Sequence, residues 1–399
     1  MRSGELFAGV GGLGMAVDEV FGSTAAWFCE FDSAPSKVLA FRHPDVPNYG
    51  DVTAVDWTTT PRVNILAGGF PCQDVSLAGR RRGMGEGTRS GLWSEYAKAI
   101  DEIRPDWVVI ENVRGLLSAD ANSEVEPCPW CVGDGADEYH LRALDAILAD
   151  LSGLGYDATW TPLRAADVGA PHGRYRFFIL AWPFANTGSG KPERRGEPGD
   201  LARTTRASEG DAPERERDGD APGYRGGSSA LSLLPTPGAY DGERGGSQHP
   251  DKRRAGNHSV TIQDVAEHIP LLPTPTASEG AKGGPNQAYG SGGATLSGTI
   301  PHLTDWGPYA DAIARWEAVI GRPAPAPVRF DGKGGKARLN PELTEFMMGW
   351  PAGHVTDPAI GLTRAEQLKA CGNGVVPQQA AAALRELLAR PGVPRIEMT

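Results

Sequence analysis

Positive charge is scarce in this chain of 399 residues: 39 Lys and Arg stand against 50 Asp and Glu, for a formal net charge of −11. Overall charge cannot attract nucleic acid, so any such contact must come from local basic clusters. Three exist: Arg80-Arg81-Arg82, Lys252-Arg253-Arg254, and Lys333 with Lys336 and Arg338. Long apolar runs are also missing, none approaching the ~18 uncharged residues of a membrane span, and no membrane partner is expected. Cysteine is sparse, with five residues at positions 29, 72, 128, 131 and 371. An odd number in a long chain makes no disulfide framework and suits a reducing compartment. The first residues lack a charged lead, an apolar core and a small-residue cleavage site, so a cytoplasmic location is expected.

Gly (53) and Pro (33) are in excess, unevenly spread, which implies long loops. The length suggests about two domains with a remainder. Residues 3–183 alternate short apolar runs (5–7, 25–29, 63–67, 107–111, 157–162 and 176–182) with segments of helical period (13–21, 94–103 and 141–154). That pattern predicts a doubly wound α/β domain with a parallel sheet and crossover helices. Between 186 and 227 the only large apolar residues are Leu201 and Tyr224, too few to order the stretch, and a flexible insertion is expected there. A duplication follows: Leu233-Leu234-Pro235-Thr236-Pro237 recurs 38 residues later as Leu271-Leu272-Pro273-Thr274-Pro275, with Ala239 and Gly242 matched by Ala277 and Gly280. Two copies are too few for a solenoid; they either present two equivalent surfaces or repeat a turn. Helices are expected at 311–320 and 377–390, the latter stopped by Pro391-Gly392.

The chemistry gathers at strand ends. The first strand runs into Phe7-Ala8-Gly9-Val10-Gly11-Gly12 and a helix, where glycines let a ligand approach the backbone. Glu30 closes the second strand, and Asp51-Val52 ends a third unit. A dinucleotide site would share these features, but two carboxylates suit a nucleoside carrying an amino acid better than a pyrophosphate. Gly68-Gly69-Phe70-Pro71-Cys72-Gln73 puts a thiol at the next strand end, and Arg80-Arg81-Arg82 could lower its pKa. Glu111-Asn112-Val113 closes an apolar strand, where a carboxyl needs a partner. Arg174-Tyr175-Arg176 opens another strand, with two guanidinium groups on one face by alternation.

Together these residues resemble the DNA (cytosine-5) methyltransferases. Phe7 to Gly12 is similar to that family's cofactor motif, Pro71-Cys72-Gln73 to its nucleophile motif, and Glu111-Asn112-Val113 to its acid motif. Arg174-Tyr175-Arg176 resembles its Gln-x-Arg-x-Arg motif with His172 in place of Gln. Arg338-Leu339-Asn340-Pro341-Glu342 and Gly372-Asn373-Gly374-Val375-Val376-Pro377 resemble the last two.

The resemblance implies a Rossmann-like S-adenosylmethionine-dependent catalytic domain over 1–183, completed by 338–399, with a smaller, loop-rich target-recognition domain over 184–337. It implies Cys72 as nucleophile, Glu111 at ring N3 and the amino group, Arg174 at O2, and Asn112 holding the Cys72 loop, with Arg176 also in the catalytic set. Phe7, Gly9, Gly11, Gly12, Glu30, Phe31, Asp51, Val52, Pro71, Leu92, Asn373 and Val375 would line the S-adenosyl-L-methionine site. The expected partner is double-stranded DNA, acted on by a monomer of the restriction-modification or phage-protective kind, with or without a cognate restriction enzyme. An amino-group methyltransferase would need an Asp/Asn-Pro-Pro-aromatic loop, and the sequence has none. RNA is the other open substrate, and a non-catalytic regulator is disfavoured by the presence of both Cys72 and Glu111. Cys128-Pro129-Trp130-Cys131 has half a zinc spacing and no second pair, so no metal is expected. Among the histidines without a motif, His43 and His354 are expected in ordinary surface or packing roles.

Overall fold

The computed structural model describes residues 1–70, 92–113, 143–184, 271–282, 295–300, 306–332, 334–335 and 337–396. In chain order the first part comprises β1 (Arg2–Leu6), α1 (Gly12–Phe21), β2 (Thr24–Cys29), α2 (Ser33–Arg42), β3 (Ile65–Gly68), α3 (Leu92–Ile103), β4 (Trp107–Val113), α4 (Ala143–Gly153), β5 (Tyr156–Arg164) and β6 (Tyr175–Pro183). The strands form one sheet in the order β2-β1-β3-β4-β6-β5.

Strand alternation explains how both faces of the sheet are buried. Leu66, Val108, Ile110, Phe177, Ile179 and Ala181 point into a core shared with Trp93, Tyr96 and Ile100 of α3 and Ile147 and Leu151 of α4. The intervening Ile65, Ala67, Trp107, Val109, Phe178 and Leu180 point the other way, against Leu13, Ala16, Val17 and Phe21 of α1. Near-continuous apolar strands covered on both sides are what a doubly wound sheet requires.

Three differences from the sequence expectation have local causes. The sheet is not wholly parallel: β1, β2, β3 and β4 pair parallel, but β6 pairs antiparallel with both β4 and β5. Only ten residues join β5 to β6, too few for a helical crossover, so the chain turns back on itself. Helix α2 was not expected, because its buried residues Ala34, Pro35, Val38 and Leu39 carry little apolar signal. Nor does a strand precede Asp51; a single parallel bridge from Asn48 to Phe28 stands at that edge of the sheet.

The second part contains α5 (Ser278–Lys282), α6 (Leu296–Thr299), α7 (Ala310–Ile320), a short hairpin of β7 (Val328–Arg329) and β8 (Arg338–Leu339), α8 (Pro341–Met347), α9 (Arg364–Asn373) and α10 (Pro377–Leu388). It belongs to the same compact unit as residues 1–185. Leu272, Leu296, Ile313, Trp316, Leu343, Phe346, Trp350 and Leu368 form a third core, which also takes in Val10 from the glycine-rich turn. Helix α10 packs on α1 and β5, burying Ala380, Ala381, Leu384 and Leu387 in the core beside α1. No helix among the described residues is long and apolar enough to cross a membrane.

Candidate active site

At the switch point of the sheet, where β2 lies to one side of β1 and β3 to the other, the carboxyl ends open onto a crevice. The chain leaving β1 turns through Phe7, Gly9 and Gly11, all with positive φ (52°, 55° and 82°). For the two glycines this costs nothing sterically. A Cβ on Gly9 would meet nothing within 4 Å, whereas one on Gly12 would come within 2.5 Å of the Val375 carbonyl oxygen. The turn therefore presents open backbone on one side and is pressed against the returning C-terminal segment on the other.

Three side chains from separate elements hold this turn. Glu30 Oε2 accepts from Gly9 N–H at 2.7 Å, and its Oε1 accepts from Asp32 N–H at 2.7 Å. Burial, outweighing those two bonds, pushes the Glu30 carboxyl above its ordinary value. Glu5 on β1 accepts from Gly14 N–H at 3.0 Å with Oε1, while its buried Oε2 has no hydrogen-bond partner among the described residues. Burial raises its pKa to about 8. From the C-terminal part, His354 Nε2 donates to the Val10 carbonyl at 2.8 Å.

His354 is buried, and its loop is fixed by Glu345, whose carboxylate accepts from the N–H groups of Gly353, Val355 and Thr356 at 2.7, 2.7 and 2.9 Å. Burial lowers the pKa of His354, as suits a neutral ring. Sequence reasoning missed both residues, and no motif marks His354. Glu5 was missed although the rule applied to Glu111, that a carboxyl in an apolar strand needs a partner, applies to it equally.

The remaining expected cofactor residues lie around the same turn or close to it. Phe31 follows Glu30 and is 78 % exposed. Phe7 stacks on Tyr96 with ring centroids 6.5 Å apart. Asp51 accepts from Thr53 N–H and Oγ1 at 3.0 and 2.8 Å, capping its own turn, and Val52 is buried in the first core. Leu92 begins α3 and packs against that core. Asn373 ends α9 exposed, and Val375 accepts from Trp350 Nε1 at 3.1 Å beside Gly12. Open glycine backbone, a carboxylate and an exposed aromatic ring fit a nucleoside cofactor.

The second half of the crevice is built by β3, β4 and β6. Arg176 Nε lies 2.6 Å from Glu111 Oε1, with both side chains largely buried. Gly69 makes room: a Cβ there would meet Glu111 Oε2 at 2.7 Å. Asn112 Nδ2 donates to the Phe70 carbonyl at 3.3 Å, tying the end of β4 to the chain that leaves β3.

Arg174 is placed differently from Arg176. Its Nη1 donates to the carbonyls of Gly372 (3.0 Å) and Pro275 (3.4 Å), and its Nη2 to Gly374 (2.8 Å). Burial lowers its pKa, with Arg176 adding to the effect. The two guanidinium groups thus share a strand entrance but not an environment: Arg176 faces the carboxylate, and Arg174 binds backbone from two later segments.

His172 is wholly buried. Its Nε2 donates to Met347 O at 3.0 Å, and its Nδ1 accepts from Arg174 N–H at 3.4 Å. Burial pushes its pKa down to about 3.

Pro71 and Cys72 lie outside the described residues, as do Arg80-Arg81-Arg82, Cys128 and Cys131, the 186–227 stretch, the first Leu-Leu-Pro-Thr-Pro unit and Lys252-Arg253-Arg254.

Residues 1–195 match the model of a family described as C-5 cytosine-specific DNA methylase. Among curated proteins, the Type II methyltransferase M.NlaIV of Neisseria lactamica is 33% identical over 180 residues, 44% of this chain and 40% of that protein. The Type II methyltransferase M.Eco47II of Escherichia coli is 40% identical over 146 residues, 36% of this chain and 34% of that protein. The chain therefore spans about 40% or less of the length of these two relatives. The crystal structure of S. pombe Dnmt2 methyltransferase superposes with a TM-score of 0.49 at 13% identity, covering 97% of this chain and 98% of that one.

Proposed function

We propose, from the match of residues 1–195 to the C-5 cytosine-specific DNA methylase family, that this chain transfers a methyl group to carbon 5 of cytosine in duplex DNA. The observation that carries this reading is the Arg176–Glu111 ion pair at 2.6 Å. It puts a carboxyl and a guanidinium, a pair matched to the edge of a cytosine ring, on the rim that holds the glycine-rich turn.

S-adenosyl-L-methionine, held by the backbone at Gly9 and Gly11 with Glu30, Phe31, Asp51 and Val375 around it, supplies an electrophilic methyl group when bound. Carbon 5 of cytosine is a weak nucleophile. The Cys72 thiolate adds to carbon 6 and leaves an enamine whose carbon 5 can accept the methyl group; loss of the carbon 5 proton and of Cys72 then restores the ring. Asn112 Nδ2 donates to the carbonyl of Phe70, which precedes Pro71-Cys72 in the chain. Glu111 contacts N3 and the amino group, offsetting charge as the adduct forms. Arg176, beside Glu111, is better placed than Arg174 to meet the ring oxygen O2, because Arg174 is occupied by three carbonyls. A target inside the stack must be flipped out.

Sequence specificity is assigned to residues 184–337, more to the duplicated units than to the 186–227 stretch. Base readout needs rigidly held side chains, for which a stretch so poor in apolar residues is the weaker candidate. The protein acts as a cytoplasmic monomer protecting DNA in the manner of Type II modification.

Cys72→Ser is expected to abolish methylation while retaining S-adenosylmethionine binding, read by bisulfite sequencing of DNA from expressing cells together with cofactor titration. Methylation near the wild-type level in that variant would overturn the proposal.

A further inference from the structure

One surface remains unused by this chemistry. β7 and β8 form a short hairpin whose stem is fixed and whose tip is exposed. Asn340 fixes the stem through its N–H to Pro327 O at 3.1 Å and its Nδ2 to Ala326 O at 2.8 Å. Arg364, at the start of α9, donates to the Leu339 carbonyl from Nε and Nη2 at 3.2 and 2.9 Å, and Leu339 itself is buried.

At the tip, Phe330 is 74 % exposed, between Arg329 and Asp331. A Gly335 N–H to Gly332 O bond at 2.8 Å closes the turn, with Gly334 and Gly335 in the left-handed region. Arg329 Nε and Arg338 Nη1 lie 3.7 and 3.9 Å from Asp331, loose and solvent-exposed pairs. Such pairs are readily exchanged for another anion. Isolated surface phenylalanines are common. This one combines a rigid stem, a glycine turn and flanking arginines in a protein whose net charge is −11.

Position adds a second argument. The hairpin root contacts α6, the short helix that closes the second Leu-Leu-Pro-Thr-Pro unit, whose first two N–H groups are held by the buried Glu279 at 3.1 and 3.0 Å. α5 of that unit lies so close to α9 that a Cβ on Gly280 would meet Ala365 O at 2.3 Å. α9 runs from Arg364, under the hairpin, to Asn373, two residues before the Val375 carbonyl that presses on Gly12. At 1.5 Å per residue that is about 13 Å, close to the width of one major groove of DNA.

We propose that the β7–β8 hairpin is a duplex-DNA contact, in which Arg329 and Arg338 leave Asp331 for phosphates and Phe330 packs on or between base pairs. The assignment rests on the DNA reading above. An aromatic ring supplies sequence-tolerant contact with bases, and the arginines supply the salt-dependent part of the affinity.

The test uses the full chain and a 30-base-pair duplex of mixed sequence, titrated by fluorescence anisotropy at several salt concentrations. Phe330→Ala is expected to weaken binding about tenfold and Phe330→Trp to keep it near the wild-type level. Arg329→Gln with Arg338→Gln should reduce the slope of log K against log salt by about two. S-adenosylmethionine binding and the unfolding midpoint, unchanged in all three, would establish that the fold is intact.

Wild-type affinity and salt slope in both Phe330→Ala and the double arginine variant would overturn the proposal. So would loss of self-association, instead of DNA affinity, in Phe330→Ala. A wild-type protein that binds duplex through this hairpin yet methylates no DNA would leave the hairpin assignment standing and remove the reading on which Cys72 depends.

Discussion

Glu5 on β1 and Glu111 on β4 stand in the same sheet with only β3 between them, and both are buried, at 4 % and 8 % exposure. Around Glu5 the partner among the described residues is backbone: one oxygen takes Gly14 N–H, and burial raises the carboxyl's pKa to about 8. Around Glu111 the partner is the Arg176 guanidinium. The glycine-rich turn at one end of the rim is therefore held by polar groups, and the other end by a carboxyl in contact with a guanidinium. Equal burial is met by different partners: a backbone N–H for one carboxyl and a guanidinium for the other.

The largest effect should come from breaking the charged side of this comparison. Glu111→Gln strands a buried guanidinium and is expected to cost about 3 kcal/mol and to abolish methyl transfer. Adding Arg176→Met should restore most of the stability and none of the activity. Urea unfolding beside a methylation assay reads both; a single variant as stable as the wild type would mean that the pair is not coupled as its geometry indicates.

The neutral side is tested by Glu5→Gln, which keeps an oxygen for Gly14 N–H. A carboxyl whose folded pKa is raised from about 4.5 to about 8 makes the native state hold a proton that the unfolded chain has lost. Stability is then full below pH 4.5 and falls as pH rises towards 8. The variant should be flat across that window and more stable than wild type at pH 8. Parallel wild-type and variant curves between pH 5 and 8 would contradict a neutral Glu5.

The smallest effect at neutral pH concerns His172. Its folded pKa of about 3 lies below the ordinary 6.5, so stability is present above pH 6.5 and lost as pH falls towards 3. His172→Gln should cost about 1 kcal/mol at pH 7 while losing less stability in acid. Identical acid limbs would place the proton elsewhere.

Much of this arrangement was legible in the sequence. The six strands emerged from apolar runs because a sheet covered on both faces writes its burial into consecutive residues. The rim emerged from polar residues that interrupt those runs. The direction of β6 did not, since alternation is the same for parallel and antiparallel pairing. For the same reason Arg174 and Arg176 looked equivalent: two residues apart on a strand, they share a side, and only the distant carbonyls of Pro275, Gly372 and Gly374 separate them. His354 was illegible because its partner is a main-chain oxygen 344 residues away, and a backbone acceptor leaves no mark on residue identity.

The contacts of Arg174 and His172 have a consequence for recombination between such enzymes. The chain at Leu272 bridges to His172, Leu272 N–H donates to Pro171 O at 2.8 Å, and Pro275 O receives Arg174. The second Leu-Leu-Pro-Thr-Pro segment is thus stitched into the catalytic body at its start. A chimera whose downstream seam falls before Leu271 keeps these stitches intact and imports the first of the two units alone. A seam at residue 300 would carry the foreign chain across these stitches and would have to reproduce a carbonyl within reach of a buried guanidinium.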